Sequence, residues 1–209
     1  MRILVTGFEP FGGDAENASR EAVQRLGGRG VDGIDVVVGV LPVAFRAGPE
    51  ALRALVAEHV PDAVLAVGEA GGRTAVTPER HGRNRIDARI PDERGEQPRD
   101  VPVDDGPELR PATLDVDALA AAVRDAGVAA EVSDDAGGFV CNRLAVEAAG
   151  LDVPAAFVHV PAVRSAGVAG VGRETDAGRA SVVPPLTLDD LATALAACVV
   201  SAAAQVAAR

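Results

Sequence analysis

The sequence contains no lysine, tyrosine or tryptophan, and all of its 20 basic residues are arginine. Without lysine, the chain cannot use a P-loop, a Schiff base or the phosphate-binding lysine of a protein kinase. The Tyr–Lys pair of short-chain dehydrogenases is excluded for the same reason. The composition therefore removes several large enzyme classes before any motif is considered.

Cysteine and histidine are also scarce. The two cysteines, Cys141 and Cys198, and the three histidines, His59, His81 and His159, show no spacing typical of metal ligands. We therefore expect no zinc or iron–sulfur site. With only two cysteines and a cytoplasmic composition, a structural disulfide is not expected either.

Positive charge and long apolar runs are lacking too. The net charge of −11 argues against nucleic acid or an anionic membrane as the main partner. No uninterrupted apolar run approaches the roughly 18 residues of a membrane span, because polar residues interrupt the alanine-rich C-terminal segment. The first residues do not resemble a signal peptide. We expect a soluble cytoplasmic protein.

The 209 residues, 48% of them hydrophobic, suit one domain with a substantial core. Hydrophobic patterning predicts strands over residues 2–6, 36–43, 63–67, 128–132 and 155–160. It predicts helices from residue 17 or 19 to about 26, over 45–60, 114–125 and 139–149, and along the face formed by Leu188, Leu191, Leu195, Cys198, Ala202 and Val206. This alternation predicts a three-layer α/β/α sandwich with a mostly parallel, twisted sheet, as a single domain over residues 1–209.

Three segments between these elements are predicted to be irregular. Residues 74–94 are polar and arginine-rich, and the proline-rich residues 97–113 predict a long loop or a short hairpin. Residues 164–184 show no period and are expected to form a mobile surface loop.

Ligands of such sheets bind beyond the carboxyl ends of the strands. Phe8, Phe11, Glu69 and Arg73 follow the first and third predicted strands, so we expect them to meet at that edge.

Residues 133–144, Ser-Asp-Asp-Ala-Gly-Gly-Phe-Val-Cys-Asn-Arg-Leu, connect a predicted strand to a predicted helix. Cys141 lies in or near the first turn of that helix, where free N–H groups and the helix dipole favour a thiolate. The preceding glycines, Gly137 and Gly138, leave the sulfur approachable. Cys141 is therefore a candidate nucleophile. The alternative is a small buried cysteine in a packed helix, which local features do not exclude.

His159 is a candidate base because it ends a predicted strand at the edge where a site is expected. In a cysteine hydrolase such a histidine takes the thiol proton and returns it to the leaving amine. A structural imidazole at a strand end is the alternative. We expect His59 and His81 at the surface and Cys198 in the core. Pattern alone does not choose the orienting carboxylate among 31 acidic residues.

Four blocks of the sequence, taken in order, resemble the pyroglutamyl peptidase I family, also called the pyrrolidone-carboxylate peptidases. The blocks are Val-Thr-Gly-Phe-Glu-Pro-Phe-Gly-Gly at residues 5–13 with Asn17; Gly72-Arg73 with Glu79-Arg80, Asn84 and Asp87-Ala88-Arg89-Ile90-Pro91-Asp92; Ser133 with Ala136-Gly137 and Cys141-Asn142; and Phe157-Val158-His159-Val160-Pro161. Each block is weak alone, but their common order from residue 1 to about 161 makes a specific match.

The resemblance implies that Cys141 is the nucleophile, His159 the general base and acid, and Glu79 the carboxylate that orients His159. Phe8, Phe11 and Asn17 match substrate-binding positions. Phenylalanine rings suit the flat, uncharged five-membered lactam of a pyroglutamyl group.

The resemblance also implies supporting roles for Asp92 and Arg89. Arg89 would anchor the nucleophile loop or polarise the substrate carbonyl, and a purely structural ion pair is its alternative. The implied activity is that of a cysteine exopeptidase, which removes N-terminal pyroglutamate (5-oxoproline) from peptides through a thioester. It needs no metal or organic cofactor, and the family's dimers and tetramers imply a homo-oligomer.

Three departures from the family pattern keep two alternatives open. Glu69 stands where a neutral residue is usual, Gly82-Arg83 replaces small apolar residues, and Ala162-Val163-Arg164 replaces an acidic and amide-bearing segment. The chain could hydrolyse a different small acyl or cyclic amide, or it could be a non-catalytic binding homologue. A nucleotide-dependent oxidoreductase fails, because Phe11 occupies a required glycine position.

Overall fold

The computed structural model of the chain describes residues 1–167, 169–170 and 185–209. These residues form seven strands and five helices. The strands are β1 (Arg2–Phe8), β2 (Asp35–Leu41), β3 (Ala63–Ala70), β4 (Thr77–Pro78), β5 (His81–Arg83), β6 (Leu109–Pro111) and β7 (Ala155–Pro161). The helices are α1 (Ala18–Arg29), α2 (Ala47–His59), α3 (Val116–Asp125), α4 (Val140–Ala149) and α5 (Leu188–Ala207).

Five strands form the main sheet in the order β2-β1-β3-β7-β4. The first four are parallel, and β4 pairs antiparallel with β7. Because β2 and β3 lie on opposite sides of β1, the connections from β1 diverge there. A crevice opens at such a point beyond the carboxyl ends of the strands. Phe8 ends β1 and Glu69 lies near the end of β3, so both reach this crevice.

Two hydrophobic cores lie on the two faces of the sheet. Alternate residues of β1 face opposite ways, so Ile3 and Val5 enter one core and Leu4 enters the other. The first core includes residues of α1, α3 and α5, and the second includes residues of α2 and α4. The predicted α/β/α sandwich with a mostly parallel sheet is confirmed.

The strand predicted over residues 128–132 is wrong. This segment and Ser133 lie alongside residues 76–80, with isolated parallel bridges from Val76 to Ala130 and from Glu79 to Ser133. The segment therefore lies next to β4, which itself pairs with β7, and it does not form a regular strand. Apolar patterning predicts burial but does not tell whether a segment forms a continuous ladder.

The segments predicted to be irregular contain short strands. β4 and β5 lie within residues 74–94, and β5 pairs antiparallel with β6, which lies within residues 97–113. The proline-rich segment is thus mostly loop. Its short strand, β6, pairs with β5, which lies outside the segment. Of the loop predicted over residues 164–184, residues 168 and 171–184 lie outside the described residues.

Helix α5 begins with a capping box, in which Thr187 and Asp190 satisfy each other's backbone N–H groups. Within the described residues, it is the one helix long and apolar enough to cross a membrane. Its predicted apolar face is confirmed, because Leu191, Leu195 and Cys198 are fully buried in the core shared with α1 and α3. A helix buried in a protein core can be equally long and apolar, so length and composition alone do not make α5 a membrane span.

Candidate active site

Cys141 is the second residue of α4, whose N-cap is Phe139. Its sulfur lies against Gly68 of β3, where an added Cβ would be 2.9 Å from Sγ and 2.7 Å from Cζ of Phe157. Only glycine lets the strand pass this close to the sulfur. Cys141 is partly exposed, whereas Cys198 is buried as predicted.

His159 and Glu79 form a buried hydrogen-bonded pair. Nδ1 of His159 lies 2.7 Å from Oε1 of Glu79, and both side chains are almost completely buried. The sheet positions the pair, because Thr77 of β4 pairs with His159 of β7, and the Glu79 N–H donates to the Phe157 carbonyl oxygen. The predicted partnership of these two residues is thus present in the fold.

The electrostatics of the pair suit a base. Burial, together with the charge of Arg73, lowers the pKa of His159 below its ordinary value, although the hydrogen bond and charge of Glu79 oppose this shift. Burial raises the pKa of Glu79, whereas the hydrogen bond and charge of His159 and the charge of Arg73 lower it. The net shift of the Glu79 pKa is downward. At neutral pH the pair is therefore a neutral imidazole and a carboxylate. The imidazole donates its Nδ1–H to Glu79, which leaves Nε2 with a lone pair.

The thiol of Cys141 is protonated in the ligand-free protein. Burial, with a smaller contribution from the Glu79 charge, raises its pKa to about 12, against the opposing effect of Arg73. Burial therefore acts against the thiolate that free N–H groups at the helix start favour, and that preference stays a prediction. No hydrogen bond joins Cys141 and His159 among the described residues. Catalytic hydrogen bonds often tighten only when substrate is bound.

Arg73 is a site residue to which the sequence assigned no role. Its Nη1 donates to Oε1 of Glu79 at 2.7 Å, and its Nη2 donates to the Asp135 carbonyl oxygen at 2.8 Å. It also contacts the Thr77 hydroxyl. Arg73 thus joins the orienting carboxylate to the loop that leads into the nucleophile helix. In the sequence, the position of Arg73 shortly after β3 was the signal that placed it at the site.

A small pocket of about 70 Å³ opens beside the sulfur. Its walls are mostly apolar, and its lining residues come from five segments of the chain: Phe8, Phe11, Asn17, Val43, Glu69, Phe139, Val140 and Cys141. The structure therefore brings together the candidate nucleophile and all three residues predicted to bind substrate. Asn17 also caps α1, since its Oδ1 accepts from the Ser19 N–H at 3.0 Å.

Asp92 supports the pocket from behind. Its Oδ2 accepts from the Phe45 N–H at 2.8 Å, and its Oδ1 accepts from the N–H groups of Arg94 and Glu96. The Phe45 ring packs edge-on against Phe139, with centroids 5.2 Å apart. Asp92 therefore fixes an aromatic residue that packs against the pocket wall and does not itself line the pocket.

Two arginines singled out in the sequence lie away from the described cluster. The side chain of Arg89 is exposed and makes no hydrogen bond or ion pair within the described ranges, although its carbonyl oxygen accepts from Gln97. Its supporting role stays a prediction. Arg83 is also exposed, and its backbone is held by the buried Asn142 of α4. Among the sequence departures, Glu69 is the one that lines the pocket.

No cluster of three or more histidine, cysteine, aspartate or glutamate side chains in the described part of the chain could hold a metal ion. The chemistry available at this edge of the sheet is thus a thiol, a neutral imidazole and a carboxylate. This set can perform acyl transfer through a covalent intermediate.

The model of one protein family, described as pyroglutamyl peptidase, matches residues 1–205. The chain belongs to the pyroglutamyl peptidase family. A pyrrolidone-carboxylate peptidase of Streptococcus pyogenes serotype M5 is 43% identical over 168 residues, which cover 77% of this chain and 78% of the relative.

Solved structures agree with the family assignment. Pyroglutamyl peptidase I of Bacillus amyloliquefaciens has a TM-score of 0.83 and 33% identity, covering 98% of both chains. Pyrrolidone carboxyl peptidase of Thermococcus litoralis has a TM-score of 0.85 and 31% identity, covering 97% of this chain and 93% of its own. The resemblance found in the sequence motifs is confirmed, and it extends through α5.

Proposed function

We propose that this family member is a cysteine exopeptidase that removes N-terminal pyroglutamate from peptides, with Cys141, His159 and Glu79 as its catalytic residues. The observation that carries the proposal is a cysteine in the wall of a small apolar pocket, at the same sheet edge as a buried His159–Glu79 pair. Such a pair serves as a base toward a thiol at the same edge.

The reaction starts from a neutral thiol and a neutral imidazole. As Sγ attacks the pyroglutamyl carbonyl carbon, Nε2 of His159 takes the thiol proton, and Glu79 stabilises the imidazolium. The first intrahelical hydrogen bond of α4 runs from the Arg143 N–H to the Phe139 carbonyl oxygen, so earlier N–H groups lack helical partners. These N–H groups stabilise the oxyanion, an effect worth roughly 3–4 kcal/mol per donor.

The tetrahedral intermediate breaks down to a thioester, which water then hydrolyses. The imidazolium gives its proton to the leaving amine as the C–N bond breaks, which leaves an acyl thioester on Cys141. His159 then takes a proton from water, whose oxygen attacks the thioester carbonyl, and returns that proton to the sulfur as pyroglutamate leaves. Every proton transfer uses His159, and no redox partner is needed.

The pocket supports a small uncharged acyl group. Phe8, Phe11 and Phe139 provide flat apolar walls, and the rings of Phe11 and Phe139 lie 5.5 Å apart. Aromatic faces suit a planar lactam, and a cavity of about 70 Å³ suits one small ring. The pocket therefore binds the N-terminal residue of the peptide.

One observation favours a second candidate, a cysteine hydrolase of a different small acyl or cyclic amide. Glu69 places a carboxylate in the pocket wall, which an uncharged lactam does not require. A non-catalytic homologue is the other alternative, and a folded wild type that cleaves no acyl amide would favour it.

The test measures release of a fluorogenic amine from its pyroglutamyl amide by the wild type, Cys141→Ala and Cys198→Ala. We expect Cys141→Ala to lose activity by more than about 1000-fold, and the matched control Cys198→Ala to retain it. Prolyl and acetylalanyl amides, run in parallel, report the choice of acyl group. A wild type that cleaves only another acyl amide, or a Cys141→Ala variant that stays active, would overturn the proposal.

Self-association into a dimer or tetramer and a cytoplasmic location belong to the same proposal. The family resemblance supports the first, and the composition supports the second. Light scattering on the purified protein tests the oligomer, and a monomeric mass would contradict it.

A further inference from the structure

Arg164 forms a buried ion cluster with two carboxylates. Its Nη1 donates to Oε2 of Glu69 at 2.5 Å, and its Nη2 donates to Oε1 of Glu69 at 2.8 Å. Nη2 also donates to Oδ2 of Asp14 at 2.6 Å. Only 5% of the Arg164 side chain and 4% of the Glu69 side chain are exposed. The pair is therefore bidentate and largely shielded from water.

The cluster joins three segments at the sheet edge. Glu69 lies near the end of β3, where its carboxylate also accepts from the Ala18 N–H at the start of α1 at 2.6 Å. Asp14 belongs to the loop after β1 that carries Phe11, and Arg164 follows β7 by three residues. The cluster thus joins the chain at the ends of β1, β3 and β7.

Stability alone is a poor reason for this arrangement. Buried ion pairs are often no better than apolar residues of similar volume, because desolvation costs as much as the attraction returns. Here Nε of Arg164 is buried and has no hydrogen-bond partner among the described residues, which adds to the cost. The position of Glu69 in the pocket wall, beside Cys141, points to a role at the site.

We propose that Arg164 is a positioning residue of the acyl pocket, which neutralises Glu69 so that the pocket accepts an uncharged acyl group. The identity of that group as pyroglutamyl rests on the proposed function. Burial raises the pKa of Glu69, and the hydrogen bond and charge of Arg164 oppose that rise. Without Arg164, at a pH above the pKa that Glu69 then has, an unpaired carboxylate would face the pocket. It would repel the lactam carbonyl oxygen, and it would favour the cationic ring of an N-terminal proline, which has the same size.

The same charge acts on the nucleophile. Glu69 already contributes to raising the pKa of the Cys141 thiol, although less than burial and Glu79 do. Removal of Arg164 would take away the cation that contacts this carboxylate, so the repulsion between Glu69 and a thiolate would grow. The thiolate fraction at a given pH would fall, by tenfold for each unit of added shift. Alkylation of Cys141 therefore reports the state of Glu69 without any substrate.

The experiment is a double-mutant cycle of wild type, Glu69→Gln, Arg164→Gln and the double variant. Arg29→Gln is the matched control, because Arg29 also pairs with a carboxylate, Asp189, but at the exposed surface. Two quantities are measured in each protein: the ratio of kcat/KM for pyroglutamyl over prolyl amide, and the rate of Cys141 alkylation by iodoacetamide. Thermal unfolding checks that each variant is folded.

We expect the pyroglutamyl-to-prolyl ratio of Arg164→Gln to fall on the order of 100-fold, and its alkylation rate to fall about tenfold. The double variant removes both charges, so both quantities should return close to the wild-type values. Asp14 remains partly exposed and still accepts from the Gly170 N–H, so it tolerates the loss. Arg29→Gln should change neither quantity.

A folded Arg164→Gln variant with an unchanged ratio and alkylation rate would overturn the proposal. So would a double variant as impaired as the single one, since the effect would then not depend on the Glu69 charge. If Arg164→Gln does not fold, Arg164→Met replaces it in the cycle, because methionine removes the charge but keeps an unbranched, flexible side chain that can fill the buried space. A wild type inactive on pyroglutamyl amide would overturn the proposed function, while the alkylation cycle would still test Arg164.

Discussion

Gly68 lies against the candidate nucleophile, and its replacement by alanine is a sharp test of the site geometry. The added Cβ would lie 2.9 Å from Sγ of Cys141 and 2.7 Å from Cζ of Phe157, where ordinary contact begins at 3.4 Å. Relief therefore requires the sulfur to move by about 0.5 Å and the ring by somewhat more.

Neither neighbour can move without affecting the site. Phe157 is 2% exposed, and its ring packs edge-on against His159 with centroids 5.0 Å apart. Displacing this ring disturbs the base, and displacing the sulfur moves the nucleophile. Overpacking of this kind costs about 1–3 kcal/mol of stability. A misplacement of about 1 Å can cost about 100-fold in rate, so we expect kcat/KM to fall by about 10- to 100-fold.

The assay compares Gly68→Ala with Gly150→Ala, a glycine at the end of α4 where the added Cβ would meet nothing closer than 3.5 Å. Unfolding free energy, kcat/KM for a pyroglutamyl amide and Cys141 alkylation are measured in each. Gly150→Ala should stay within about 0.5 kcal/mol of the wild type and keep its activity. A Gly68→Ala protein with wild-type kcat/KM and alkylation rate would refute the reasoning, even if its stability fell.

Three further predictions concern the base and the nucleophile. Glu79→Gln removes the charge that stabilises the imidazolium and orients Nδ1–H, so kcat should fall by about 1000-fold or more while KM changes little; a Glu79→Gln enzyme within tenfold of the wild-type kcat would contradict this role. The lowered pKa of His159 places the acid limb of kcat/KM below the ordinary histidine value of 6.5, since activity needs the neutral imidazole and is lost only as pH falls through the lowered pKa. Because the thiol pKa is about 12, iodoacetamide alkylation should still rise steeply with pH above the ordinary cysteine value of 9.0. An alkylation plateau below pH 9.0, or an acid limb above 6.5, would show that Cys141 and His159 form an ion pair in the free enzyme.

Local pattern predicted most of the regular structure because that structure depends on local properties. The buried strands β1, β3 and β7 are continuous apolar runs, and α5 carries its apolar residues on one face. Asn17 is an N-cap in the structure, as its position before the helix indicated. The failure at residues 128–132 is of another kind, since this segment pairs with residues 76–80 through isolated bridges and not through a continuous ladder.

The sequence by itself determined the layered fold and, through four ordered motifs, the family and the identities of Cys141, His159 and Glu79 as site candidates. These depend on residue type, period and order, all of which are written along the chain. Only the tertiary structure decided that Glu79 and His159 lie 2.7 Å apart, that Arg73 joins them to the nucleophile loop, and that Arg164 pairs with Glu69 across 95 residues of sequence. It also decided that the thiol is protonated, because the pKa of Cys141 depends on burial and on charges that come from distant segments.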